Sequence, residues 1–293
     1  MKWFVRSAAA LVVAAAIAVP FVQHSGQDAQ RDDTAGSPSQ IERQSQPPID
    51  QPLSQQTKFV PAFADIYDVT ERKREFFAYL LPAIDEVNQR ITEQRAYLNQ
   101  LQNKVEQGGS LNQREQRWME TILSYYRVDE EQLQEQFAVL NRRVDIVPGT
   151  LVLIQAANES GWGTSRFATQ GLNFFGQWCW TDGCGIVPGS RPDGERYEVR
   201  RFDSMEASVE SFIRNLNTHF AYAELRQMRL EEREQEDSVS STTLTAGLMS
   251  YSERGQDYID ELNQMIRINR PIIEDVRDEG LQVEAEGTAT VDS

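Results

Sequence analysis

The centre of the chain reads Thr150-Leu-Val-Leu-Ile-Gln-Ala-Ala-Asn-Glu-Ser-Gly-Trp-Gly-Thr-Ser165. Its first nine residues are apolar almost all round, and a helix with that pattern is buried in a core. Pro148 and Gly149 precede the run and Gly161 follows it, which are typical boundaries of a helix. The sequence therefore predicts a buried helix that ends close to Glu159.

Further helices are predicted on both sides of this run. Apolar residues at steps of three and four extend from about Val69 to Val139, and side chains of this kind usually pack on a neighbouring helix rather than serve recognition. Between Ile186 and Phe202, two turn sequences and an alternating run predict a small β-hairpin. The fold class is therefore mainly α (α+β), a helical domain with a small β-hairpin lobe, preceded by a helical segment. The other predicted helices cover about 203–216, 244–249 and 258–268.

Both ends of the chain differ in composition from the centre. Residues 1–22 open with Lys2 and Arg6 and continue with small apolar residues, as in a secretory signal, so we expect a location in the periplasm or cell envelope. An uncleaved membrane anchor through residues 3–22 and a buried N-terminal helix are the alternatives. The predicted organisation continues with a disordered linker at 23–57, a helical segment at 58–145, the main domain at 146–271 and an acidic disordered tail at 272–293.

Charge and the rare residues exclude several classes of function. The formal charge of −16 argues against nucleic acid and anionic lipid as general partners, because both repel an acidic surface. With only His24 and His219 beside two cysteines, no zinc site is predicted, and no motif indicates an organic cofactor. In an exported protein, Cys179 and Cys184 are expected to form a disulfide, since Asp182-Gly183 offers a turn between them.

Glu159 is the candidate acid. The negative end of the helix dipole, the apolar run behind it and an indole wall from Trp162 would each raise the pKa of its carboxyl. A carboxyl group that stays protonated near neutral pH can donate a proton to a glycosidic oxygen, as a glycosidase requires. The alternative is an idle glutamate, solvated at a helix end.

A resemblance to a known family favours the acid. Glu159-Ser-Gly-Trp-Gly-Thr-Ser-Arg-Phe-Ala168, followed by Gly171-Leu-Asn-Phe-Phe-Gly176, resembles the signature of the peptidoglycan N-acetylglucosaminidases of glycoside hydrolase family 73. The resemblance covers roughly 147–270 and includes Tyr251 in Tyr251-Ser-Glu-Arg-Gly-Gln-Asp-Tyr258. The upstream helices, Trp178-Cys-Trp180 and Cys184 resemble its Bax-type branch.

The resemblance implies a lysozyme-like fold with a groove between the helices and the hairpin. It implies hydrolysis of the β-1,4 bond after N-acetylglucosamine in peptidoglycan glycan strands, with Glu159 as general acid. Tyr251 would orient the acetamido group of the substrate or the attacking water. The expected substrate-binding residues, for which ordinary core packing is the alternative role of the aromatic ones, are Trp162, Asn173, Phe175, Trp178 and Trp180.

A second catalytic carboxylate is harder to place. In relatives it lies on the first strand of the hairpin, where this chain reads Gly185-Ile-Val-Pro-Gly189 without an acid. Glu198 and Glu195, with Asp182 third, are the substitutes, or the acetamido oxygen of the substrate acts as the nucleophile.

Three functions are therefore compared. Peptidoglycan hydrolysis is favoured by the Glu159 and Tyr251 motifs together. A lytic transglycosylase of the same fold needs only one acid, and a non-catalytic wall-binding scaffold would fit the long helical segment and the missing second acid. The oligomeric state is left open.

Overall fold

A computed structural model describes residues 46–235 and 238–291, with side chains up to residue 282. The predicted signal and the linker up to residue 45 lie outside the described residues. The helices are α1 (Val69–Glu106), α2 (Gln113–Tyr125), α3 (Leu133–Arg143), α4 (Gly149–Ser160), α5 (Arg166–Gly171), α6 (Met205–Thr218), α7 (Ala223–Gln235), α8 (Ser241–Leu244) and α9 (Gln256–Val291), and the strands are β1 (Trp178–Cys179), β2 (Gly185–Ile186) and β3 (Glu198–Arg200).

The predicted buried helix is α4, at the centre of the core. Its residues from Leu151 to Ala157 have no exposed surface, so every side of the helix is covered. The long helices α1 and α9 both pack against it, and they also pack against each other. Asp68 begins α1 by accepting a hydrogen bond from the backbone N–H of Glu71, as an N-cap residue does. The mainly α fold class is confirmed.

The β lobe is a three-stranded antiparallel sheet rather than a simple hairpin. Its strand order is β1–β3–β2, with Trp178 opposite Val199 and Gly185 opposite Arg200. A Cβ atom on Gly185 would lie 2.0 Å from the carbonyl oxygen of Val199, so only glycine allows this pairing. Sequence alternation misses β1 because a strand of two residues shows no period.

The predicted linker boundary at residue 57 is corrected by the structure, because residues 46–57 pack on the helices. Ile49 and Leu53 are buried in the core. The indole N–H of Trp118 donates to the carbonyl oxygen of Pro47 (3.1 Å), and the Gln94 amide donates to that of Pro48 (2.6 Å). Two apolar side chains and these bonds to the backbone hold a segment whose composition alone predicts disorder.

The predicted disordered tail is also corrected. Helix α9 continues through Pro271 to Val291, and Ile273 and Val276 are buried in the core. Ile266, Ile273 and Val276 are seven and three residues apart, which keeps them on one face of a helix. Arg277 lies 3.2 Å from Asp85 of α1, so charged residues of this segment also contribute to its packing.

Within the two described ranges, no helix is both long enough and apolar enough to span a membrane.

Residues 46–57 are joined to α6 by the buried carboxylate of Glu206, and this contact gives a first prediction. Glu206 accepts hydrogen bonds from the backbone N–H (2.8 Å) and hydroxyl (2.6 Å) of Thr57. Replacing Glu206 with Ala leaves these donors unpaired and should lower the free energy of unfolding by about 2 to 3 kcal/mol, measured by urea denaturation.

The matched control is Glu224→Ala, since Glu224 lies in the first turn of α7 and is exposed. That substitution should cost less than about 1 kcal/mol, because an exposed charge at a helix N-terminus contributes little. Equal losses for the two variants would contradict the structural role of Glu206.

Candidate active site

Glu159 is the penultimate residue of α4, and a tight turn follows it. Gly161 and Trp162 both have left-handed backbone conformations, with φ of 57° and 58°. The hydroxyl of Ser160 donates to the carbonyl oxygen of Ala156 and accepts from the N–H of Gly163. The turn therefore ends the helix sharply and leaves the Glu159 side chain at the edge of the core.

The Glu159 carboxyl is half-buried and hydrogen-bonded. Burial raises its pKa above the ordinary value, and the charge of Glu261 adds to this, while hydrogen bonds from Tyr258 and Asn158 act in the opposite direction. The hydroxyl of Tyr258 lies 2.9 Å from Glu159 Oε1. Desolvation is the largest of these effects, so the environment favours the protonated acid.

Tyr258 links Glu159 to a second buried group, Gln155. The amide of Gln155, one helical turn before Glu159, has no exposed surface, and its Oε1 is within hydrogen-bonding distance of the same Tyr258 hydroxyl. One hydroxyl carries one proton, so Tyr258 cannot donate to both groups at once. Gln155 therefore competes with Glu159 for the hydroxyl proton of Tyr258.

Tyr251 lies beside this network. Its ring is parallel to that of Tyr258 with centroids 5.9 Å apart, and its hydroxyl donates to the carbonyl oxygen of Phe175 (2.8 Å). Burial, and then the charge of Glu159, raise the pKa of Tyr251, so the hydroxyl stays protonated. Tyr251 thus fixes the backbone that passes next to the acid.

That backbone continues into Gly176, which borders the carboxyl. Its φ is 63°, and a Cβ atom there would lie 3.8 Å from Glu159 Oε2. Glycine keeps the space beside Oε2 free, and it adopts a left-handed conformation that other residues disfavour. The next residue, Gln177, lines a groove.

The groove has a volume of about 670 Å³. Tyr222 lines the groove, and its ring centroid lies 6.2 Å from that of Tyr251. Burial, and then the charge of Glu159, raise the pKa of Tyr222. Trp178 and Trp180 line the groove with 48% and 71% of their surfaces exposed. Its volume is in the range of pockets that bind small ligands. Trp178 stacks on Tyr197 with ring centroids 4.2 Å apart, so the Trp180 indole and the exposed part of Trp178 are available to stack on a ligand.

The other three predicted substrate-binding residues lie in packed environments. Trp162 makes edge contacts with Phe76 and Phe77 of α1. Phe175 stacks on Phe212 with ring centroids 4.0 Å apart. Asn173 is buried, and its described side-chain hydrogen bonds are to backbone groups of its own loop and of Arg200 in β3.

Glu198 stabilises the loop that contains Trp180. Cys179 and Cys184 form a disulfide, and the two oxygens of Glu198 accept from the N–H groups of Gly183 (3.0 Å) and Gly185 (2.7 Å). These two bonds lower the pKa of Glu198, so it is ionised. Glu198 is only 6% exposed.

Neither of the other two candidate acids has a described interaction with Glu159. Glu195 lies in the turn before β3, and Asp182 lies in the disulfide loop, and both are exposed. Among the carboxylates of the described residues, Glu261 is the one whose charge acts on Glu159, and it pairs with Arg254 at 2.6 Å.

Sequence reasoning did not assign roles to Gln155, Tyr222, Tyr258 and Glu261. Gln155 had a usable signal, because it is the single polar side chain between Leu151 and Ala157 and lies four residues before Glu159. Tyr222, Tyr258 and Glu261 come from distant segments, so nothing in their local sequence indicates proximity to the acid.

Comparison with known proteins identifies the family. The glucosaminidase family model, described as mannosyl-glycoprotein endo-beta-N-acetylglucosaminidase, matches residues 134–270. Protein bax of Escherichia coli (strain K12) is 32% identical over 206 residues, which is 70% of this chain and 72% of that protein. No solved structure matches the chain. The matched range contains Glu159, Tyr251, Tyr258 and the whole β lobe, and the chain therefore belongs to the glucosaminidase family as a Bax-type protein.

Proposed function

We propose that this protein hydrolyses the β-1,4 bond after N-acetylglucosamine in peptidoglycan, with Glu159 as the general acid. The observation that carries the proposal is the environment of Glu159, a half-buried carboxyl of raised pKa. It is connected through Tyr258, Tyr251 and Tyr222 to a groove lined by exposed indoles. Family membership supports glycosidase chemistry. The acidic surface, with a formal charge of −16, requires that an anionic glycan be held by stacking and local hydrogen bonds.

The proposed reaction begins with a proton transfer from Glu159 and is completed by a water molecule. Glu159 gives its proton to the glycosidic oxygen as the bond from that oxygen to the anomeric carbon breaks, and the leaving sugar departs as an alcohol. Water then adds its hydroxyl to the anomeric carbon, and its proton returns to Glu159. The absence of a side chain at Gly176 gives the glycosidic oxygen access to Oε2.

Tyr251 is a positioning residue in this proposal. Its hydroxyl proton is donated to the backbone beside Gly176, which leaves a lone pair free to accept a hydrogen bond. An acetamido N–H or a water molecule can provide that bond. Tyr251 thus relates the position of the reacting sugar to that of Glu159.

The nucleophile that best fits the described residues is the acetamido oxygen of the substrate. Both oxygens of Glu198 are engaged by backbone N–H groups, and Glu195 and Asp182 are exposed. The two-carboxylate scheme has a known exception in which the substrate itself supplies the nucleophile. The same observation favours a second candidate, a lytic transglycosylase, in which the sugar's own hydroxyl attacks the anomeric carbon.

Replacing Glu159 with Gln tests the acid. The amide cannot donate a catalytic proton, so release of new reducing ends from purified peptidoglycan should fall by about 100-fold to 10,000-fold. Glu253→Gln is the matched control, because Glu253 is exposed in the loop before α9, and its activity should equal that of the wild type.

The products separate the candidate functions. Reducing N-acetylglucosamine ends support hydrolysis, and anhydromuramic acid ends would establish the transglycosylase instead. Bound wall with no fragments from the wild type would indicate a scaffold protein.

Burial raises the pKa of Glu159 in the folded state, so its ionisation costs stability as pH rises from the pKa of the unfolded chain. Glu159→Gln should therefore unfold at neutral pH with a free energy no lower than that of the wild type.

Replacing Tyr258 with Phe tests the hydrogen-bond network. A general acid must be protonated, so activity is lost as pH rises through the pKa of Glu159. The Tyr258 hydroxyl lowers that pKa, and its removal should move the alkaline limb of the kcat/KM profile to higher pH. Tyr67→Phe is the control, because Tyr67 is 97% exposed. An alkaline limb that stays in place in Tyr258→Phe would contradict the coupling of the two side chains.

A further inference from the structure

One face of α6 forms the floor of the groove. The α6 residues that line it are spaced by three, one, three, one and three positions, which places them on a single face of the helix. The opposite face, with Val209, Phe212 and Leu216, is fully buried in the core. The floor residues are Ala207, Glu210, Ser211, Arg214, Asn215 and Thr218.

The groove has a wall on each side of this floor, and the two walls differ in their residues. On one side, Gln177 hydrogen-bonds Ser211 (2.8 Å), and Trp178 and Trp180 follow it in the β lobe. On the other side, the Tyr125 hydroxyl binds Glu210 (3.0 Å), and the carbonyl oxygen of Tyr125 accepts from Arg214 Nε (3.0 Å). The first wall is aromatic and the second is charged.

The charged wall lies partly outside the matched family domain. Its residues Asp50, Tyr125 and Arg127 all precede residue 134, where the family match begins. Residues 46–57 are held on the helices by the hydrogen bonds and buried side chains described above, so Asp50 is part of a fixed segment. The region before the family domain therefore contributes to the groove itself.

The groove carries a local charge opposite in sign to that of the whole chain. Arg127 and Arg200 both line it, and neither has an ion-pair partner among the described residues. Arg214 lies with its guanidinium 4.1 Å from the Tyr125 ring centre, and its one described hydrogen bond uses Nε. The groove lining contains these three arginines and two carboxylates, Asp50 and Glu210, so its local charge is positive although the chain has 45 acidic and 29 basic residues. A positive groove in an acidic chain indicates an anionic ligand.

We propose that the charged wall, formed by Asp50, Tyr125 and Arg127, binds the peptide substituent of a peptidoglycan strand together with Arg214 of the floor, while the aromatic wall binds its sugars. This inference rests on the proposed function, because it assumes a peptidoglycan substrate. It makes the N-terminal region a determinant of specificity, selecting peptide-bearing over bare glycan.

The charged groups of the groove and those of a peptide are chemically complementary. Peptides carry carboxylates, and the planar guanidinium of arginine binds a carboxylate through two parallel hydrogen bonds. Stacking on Tyr125 holds the Arg214 guanidinium in one orientation, which reduces the entropy lost on binding. Asp50 is exposed beside these cations and provides an acceptor for a peptide ammonium group.

The test measures equilibrium binding in the Glu159→Gln background, where cleavage is suppressed. A soluble disaccharide–peptide fragment of peptidoglycan and the same disaccharide without peptide are titrated by calorimetry. The ratio of their affinities should favour the peptide-bearing fragment, and Arg127→Gln should reduce this ratio by about tenfold, as loss of one charge-assisted contact implies. Arg127→Lys should restore part of the preference, because it keeps the charge.

Arg117→Gln is the matched control. Arg117 is an exposed arginine of α2 that does not line the groove, so its removal changes the net charge equally and should leave the ratio unchanged. Equal affinity for the two fragments, failure of both to bind, or the same change in Arg127→Gln and Arg117→Gln would overturn the proposal. Preferential binding of the peptide-bearing fragment by a protein whose wild type cleaves no glycan would refute hydrolysis and leave the peptide site in place.

Discussion

The complete burial of α4 is the constraint on which the rest of the structure depends. A helix covered on every side must be surrounded by other helices, and α1 and α9 provide two of its sides. Because the helix ends at a left-handed turn, Glu159 lies at the edge of this dry interior. Desolvation of the acid is therefore a consequence of the packing of the core. The same packing excludes water from Gln155 and Tyr258, so their hydrogen bonds act on the acid in a medium of low polarity.

Helix α9 has two roles. The predicted boundary at residue 271 had assigned its first part to the main domain and its second part to a disordered tail. Its first turn places Tyr258 against Glu159, and its later turns bury Ile273 and Val276. A helix anchored along this length holds the tyrosine with little freedom to move. The position of the acid's main hydrogen-bond partner thus depends on apolar contacts several turns away. Residues 46–57 likewise depend on contacts with distant elements, because hydrogen bonds with α1, α2 and α6 hold them beside the groove.

The β lobe gives its polar and aromatic residues separate tasks. Glu198 and the disulfide shape the loop, and Asn173 fixes the backbone before it, so Trp178 and Trp180 are presented to the groove from a supported loop. A conformation fixed in advance lowers the entropic cost of binding a sugar. The groove then has an aromatic wall within the family domain and a charged wall that begins before it.

The sequence alone determined the features that depend on local pattern. Its apolar run gave the buried helix, its helical periods gave the fold class, and its motif pointed to Glu159 and Tyr251. Tertiary structure decided which side chains surround the acid, because Tyr222, Tyr258 and Glu261 approach it from segments far apart in the chain. It also decided that Phe175 is buried and that Trp162 packs against the rings of α1, while Trp178 and Trp180 remain exposed. Local sequence cannot distinguish these cases, since an aromatic residue has the same local pattern in a core and in a groove. The order of residues 46–57 has the same cause: their few apolar side chains suffice only because a complementary surface, formed by distant helices, covers them.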